Sequence, residues 1–159
     1  MEEIIDREEA KGKIYSESKV AGATFLGGPL VAGYMIAENY KALDHPDKAK
    51  TAWIYASVFA LVLFGIGFLL PESVNIPSYI LPLLCIVVAR SVVKQQQGGL
   101  IASHLTAGGQ EHSWGRTIVI SLIGLSLTLV VIFAVVIIAN VNTAFEEKVK
   151  IINEAQQPH

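Results

Sequence analysis

Apolar residues gather in four runs along the chain, at 20–37, 52–70, 76–93 and 117–139, and only Arg90 carries a charge inside any of them. The run 52–70 holds 19 residues, about 28 Å as a helix, and 117–139 holds 23, about 34 Å. A bilayer's hydrocarbon core is about 30 Å thick, so both lengths suit a transmembrane helix. Both are apolar on every face, whereas a helix at a soluble protein's surface keeps one face polar. The run 76–93 contains Pro77 and Pro82, and its Arg90 lies near one end, where the guanidinium can reach headgroups. The run 20–37 is free of charge but includes Gly22, Gly27, Gly28, Pro29 and Gly33. It is apolar enough for lipid and too rich in glycine for a plain lipid-facing rod.

The pattern predicts an all-α, polytopic transmembrane bundle of four spans at about 20–37, 52–70, 76–93 and 117–139. A charged N-terminal tail, 1–19, and a polar C-terminal tail, 140–159, flank it. The alternative is three spans plus a re-entrant first segment. Only helices satisfy every backbone group in lipid at these lengths; a barrel would need alternating strands of about ten residues. The N-terminal tail reads as a loose amphipathic helix or as disordered. Its opening, Met-Glu-Glu-Ile-Ile-Asp, lacks the basic start of a cleaved signal, and none is expected. Trp53, Arg90, Trp114 and Arg116 are candidate interface anchors. With Tyr40 and Tyr55, the tryptophans border the two longer loops, which four spans place on one side.

Gly27-Gly28-Pro29 is the most informative segment. Proline removes a backbone donor and clashes with the carbonyl four residues back, here that of Phe25. Small residues recur every four positions, Thr24, Gly28 and Ala32 on one ridge and Gly33 and Ala37 on the next, and such ridges let helices approach closely in lipid. The favoured reading is a kinked helix packed at the bundle centre. The other is a broken helix whose exposed half-helix end binds substrate, as in some transporters.

Composition narrows the chemistry. The chain is 52% hydrophobic and 16% charged, with a formal net charge of −2, which offers no basic field for nucleic acid. The single cysteine, Cys85, excludes an intrachain disulfide and reads as a small buried hydrophobe. His104 and His112, eight apart in one loop with Glu111 beside the second, form a possible loop site. Metal-binding histidines usually stand closer, and polar loop residues near headgroups is the plainer reading. No metal or cofactor is expected. Gly98-Gly99 and Gly108-Gly109 bracket 100–107 as a short interfacial helix between flexible joints. There is no serine in a glycine elbow, no phosphate-binding glycine loop, and almost no ionisable residue at membrane depth, which weighs against enzymes and ion-coupled pumps.

Lysine and arginine are retained on the cytoplasmic side, but for four spans the count ties, six bases on each side. The loops are expected inside, because their bases lie in short segments between spans and the acidic N-terminal tail favours the outside. If the first segment only dips in and returns, the N-terminal tail joins the loops inside, and the bases divide ten to two.

Phe25-Leu26-Gly27-Gly28-Pro29-Leu30 followed by Asn39-Tyr40-Lys41-Ala42-Leu43 resembles a group of small uncharacterised bacterial membrane proteins. They share a Phe-x-Gly-Gly-Pro-Leu segment and an Asn-Tyr-x-x-Leu exit, with a later pattern matching Gln97-Gly98, His104, Gly108-Gly109 and Ser113. The likeness covers roughly 20–120; where that group often has glycine after the exit leucine, this chain has Asp44. It implies a multi-pass protein of a bacterial inner membrane and carries over no catalytic residue. The expected role is non-catalytic, a partner-binding or assembly subunit working through the glycine-rich first helix. Its partners would be the lipid bilayer and another membrane protein or a second copy. The alternative is a small oligomeric transporter or channel.

Overall fold

The computed structural model describes residues 12–69, 77 and 79–155. The order is β1 (Lys13–Ile14), α1 (Glu17–Ala42), α2 (Pro46–Leu69), α3 (Ile80–Val92), a π-helical turn (Val93–Gln97), α4 (Gly98–Thr106), β2 (Gln110–Glu111) and α5 (Trp114–Ala155). The chain divides into two compact units at Leu125. Three helical stretches, Glu17–Ala42, Pro46–Gly67 and Trp114–Ile152, are long and apolar enough to cross a membrane.

Helical length is misleading for the first of these. Gly28 has φ 75° and ψ −170°, a backbone region open essentially to glycine alone, and it interrupts α1. Were 15–39 one straight helix, Tyr15 and Asn39 would stand about 36 Å apart at ~1.5 Å per residue. Instead the Asn39 side chain accepts from the Tyr15 N–H at 2.7 Å and donates to its carbonyl at 2.8 Å. The halves 17–27 and 29–42 therefore run antiparallel, as a helical hairpin with its tip at Gly28. Pro29 opens the second half, where its fixed φ suits a helix start and its missing N–H removes a group with no intrahelical acceptor. The kink expected from a clash with the Phe25 carbonyl is thus replaced by a complete reversal.

That reversal corrects the ridge argument. Thr24 and Ala32 lie on opposite arms, and a Cβ added at Gly28 would meet nothing within 4 Å. Close approach occurs at neighbouring glycines. A Cβ on Gly33 would overlap that of Ala56 in α2. One on Gly27 would press on Val31 and on the Ser121 carbonyl of α5, and one on Gly124 would strike the same Val31 methyl. The first arm therefore lies along the start of α5, and the second packs on α2 and α3. The buried core gathers on this second arm, with Val31, Ala32, Met35, Ile36, Ala37 and Tyr40, joined by Ala89 of α3 and Val93 of the π turn.

α3 begins at Ile80 and continues through the π turn to Gln97, further than the apolar run alone indicates. α4 coincides closely with the short helix expected between the glycine pairs. Residues 13–14 form a strand rather than the tail helix or disorder expected, pairing in parallel with Gln110–Glu111. The tight connection expected at 71–75, and the chain ends 1–11 and 156–159, lie outside the described residues. In the second unit, 126–155 is helix, so the polar tail from 140 is helical as far as Ala155. Asn140 and Thr143 bond back to the carbonyls of Val136 and Ala139, one turn earlier.

Candidate functional site

The open end of the hairpin carries the densest polar chemistry of the first unit. Asn39 and Gln97 are both fully buried. One face of the Asn39 amide pairs with the Tyr15 backbone as a neighbouring strand would, and its remaining N–H donates to Gln97 Oε1 at 3.1 Å. Gln97 Nε2 donates to the Ile36 carbonyl at 2.8 Å. Both amides are thus engaged as donor and as acceptor, which is what burial of such groups requires. The π turn matters here: one extra residue rotates the downstream helix by about 100° and alters which side chains face the second arm.

Charges ring this network. Lys19 pairs with Glu111, and its ammonium lies 5.9 Å from the centre of the Trp114 ring. Arg90 Nε pairs with Glu17, tying α3 to the first arm. Arg116 donates to the Tyr15 hydroxyl at 3.0 Å, and the Tyr15 ring stacks on His112 at 4.3 Å between centroids. Strand pairing continues through the His112 N–H, which donates to the Ile14 carbonyl at 2.8 Å. The Lys19 hydrogen bond holds the Glu111 carboxyl below its ordinary value. Burial, then the charges of Arg116 and Lys13, pushes the His112 imidazole down. Burial pushes the Tyr15 hydroxyl up, against the pull of Arg116.

The two histidines of the expected loop site make separate contacts. His112 belongs to this clamp through Tyr15. His104 is buried on α4 against the backbone of Gly109, with Nε2 lacking a hydrogen-bond partner. Among the described residues no three His, Cys, Asp or Glu side chains are grouped to hold a metal ion. Of the candidate anchors, Arg90 and Arg116 make internal links, Trp114 underlies Lys19, and Trp53 meets Tyr34 edge-on at 6.3 Å. Tyr15, Lys19, Asn39 and Gln97 are the residues that sequence reasoning did not single out as a site, and Glu111 was noted only as a neighbour of His112. Asn39 and Gln97 stand in the motif segments, but 58 residues separate them and only the fold joins them.

What these elements define is an all-helical protein with three helices long and apolar enough to span a membrane, one of them folded back into a hairpin. Comparison with known proteins finds no matching family model, no matching curated protein and no matching solved structure.

Proposed function

We propose that the chain is a multi-pass inner-membrane protein with a non-catalytic role, a partner-binding or assembly subunit whose recognition element is a re-entrant helical hairpin. The observation that carries this reading is the reversal at Gly28. The arms hold 11 and 14 residues, about 16 and 21 Å, too short to cross a core of about 30 Å. Their tip therefore ends at mid-depth. Two helix termini meet there, each with backbone groups that lack intrahelical partners, and hydrocarbon cannot satisfy them. Phe25 and Leu26, next to the tip, are exposed. A partner helix or a second copy seated on the tip removes that conflict.

In this topology α2 and the runs 76–93, 18 residues or about 27 Å, and 117–139 cross, and the hairpin returns to the side it entered. Of the ten bases among the described residues, Lys13, Lys19, Lys41, Lys48, Lys50, Arg90, Lys94 and Arg116 then share the hairpin's open side, against Lys148 and Lys150. That asymmetry makes the clamp cytoplasmic. It replaces the tie of a four-span reading.

The test is a photo-crosslinking side chain at Leu26 in native membranes. A discrete protein adduct is expected, either a second copy or one partner; adducts to lipid alone would sink the proposal. The alternative, a small oligomeric transporter or channel, is favoured by the same half-helix ends, which line substrate sites in broken-helix transporters. Saturable solute flux into liposomes carrying the purified protein would decide for it.

A further inference from the structure

α2 and α3 both pack on the second hairpin arm but stand apart from each other, leaving a cavity of about 700 Å³ between them. Its floor is Pro29, Ala32, Gly33 and Ile36, and its walls include Phe59, Val62, Cys85 and Val88. The polar lining residues, Lys48, Thr51, Gln96 and the hydroxyl-bearing Tyr40 and Tyr55, belong to the end of α1, the first three turns of α2 and the π turn, so the groove is polar toward the clamp and apolar along the rest. Lys48 lies 5.9 Å from the centre of the Tyr40 ring, and among the described residues it makes no ion pair. Asp44 and Asp47 stand in the adjoining turn but do not line the groove.

We infer that this groove holds one anionic phospholipid, its phosphate on Lys48 at the cytoplasmic interface and an acyl chain lying over Ala32 toward Pro29. Dimensions suit one acyl chain of this occupant, the other remaining in the bilayer, and not a helix. From Tyr40 to Pro29 the floor runs about 16 Å, close to the depth of one leaflet, about half of a ~30 Å core. A helix of that length, 10–12 Å across with side chains, fills on the order of 1,300 Å³ or more, so it would stand largely outside. The cavity volume lies within the range of about 300–1,000 Å³ usual for small-molecule sites. Charge decides the headgroup, because Lys48, without an ion pair among the described residues and with the Gln96 amide in the same lining, complements a phosphate whose net charge is negative. The Thr51 hydroxyl is spent on the Asp47 carbonyl.

The inference rests on the membrane reading, whose failure would show separately as release of the protein by alkaline carbonate. Native mass spectrometry of the detergent-purified full chain, with dioleoyl phosphatidylglycerol or dioleoyl phosphatidylcholine added, reads occupancy. The wild type is expected to retain one phosphatidylglycerol, about fivefold more than phosphatidylcholine, the worth of one interfacial lysine. Lys48→Gln should equalise the two lipids. Val88→Trp, which fills the groove, should lose both, while Val87→Trp, on an exposed position outside the lining, should retain them. Melting temperatures establish that each variant is folded. Equal retention of the two lipids by the wild type, unchanged preference in Lys48→Gln, or full retention by a folded Val88→Trp would overturn the assignment. So would a groove closed by dimerisation, seen as lipid-free dimers that Val88→Trp abolishes.

Discussion

Replacing Asn39 with leucine tests the hairpin most directly, because one amide holds both ends together. The leucine is close in size but orphans three groups in a site sealed from water: the Tyr15 N–H, the Tyr15 carbonyl and Gln97 Oε1. A buried polar group left without a partner costs about 1–3 kcal/mol, so the loss should reach about 3 kcal/mol at least. Against a total stability of about 5–15 kcal/mol this is a large fraction. At about 2–4 °C per kcal/mol for a chain of this size, thermal unfolding in mild detergent should shift down by about 6–12 °C. Tryptophan fluorescence follows the melt. Gln97→Leu should cost less, since it orphans only one Asn39 N–H, while the Ile36 carbonyl loses one donor but lies within the helix and keeps its intrahelical bond. The two sites share a hydrogen bond, so the double variant should lose less than both singles together. An Asn39→Leu protein that melts with the wild type, or strict additivity in the cycle, would refute the clamp.

Four further outcomes are expected. At Gly28, alanine and leucine should cost about the same, about 1–3 kcal/mol, because the left-handed backbone and not space is limiting; at Gly33, leucine should be far worse than alanine, since both must push Ala56 aside, with Asn142→Leu as control, and the opposite ranking would return packing to Gly28. In a Cys85→Ser background, impermeant thiol reagents on intact cells should label a cysteine at Asn142 and spare one at Ser103; the reverse pattern would invert the topology. Stability should fall with acid in two stages. His112 has a folded pKa below its ordinary 6.5, so its contribution is complete above that value and is lost as pH falls toward the folded pKa; Glu111, held below 4.5 by Lys19, behaves likewise at lower pH. His112→Gln should abolish the first stage in a melting-temperature profile, and an unchanged profile would rule it out. Finally, alkaline carbonate should leave the protein in the membrane pellet, and release would end the membrane reading.

Much of this architecture is local in the sequence. Runs about as long as a hydrocarbon core is thick, with no charge on any face, read as apolar helices, and 52–70 and 117–139 announce themselves as such. The glycine pairs at 98–99 and 108–109 delimit a short helix for a similarly local reason. Gly27-Gly28-Pro29 signals that the first helix is interrupted, because glycine takes non-helical, positive-φ backbone at the least cost and proline favours a helix start. By itself, however, that signal cannot separate a kink from a reversal. The choice depends on whether something 24 residues away can hold the two ends together, and Asn39 does so by taking the place of a strand beside Tyr15. Which glycine touches a neighbour is equally non-local: reversing the chain at Gly28 takes Thr24 and Ala32 off a common ridge and leaves Gly33 against Ala56. The pairing of Asn39 with Gln97, of Lys19 with Glu111, and of Arg90 with Glu17 spans 58 to 92 residues. Hydrophobic periodicity carries no trace of such partners, since burying a polar group is favourable only once the fold has brought its counterpart within hydrogen-bonding distance.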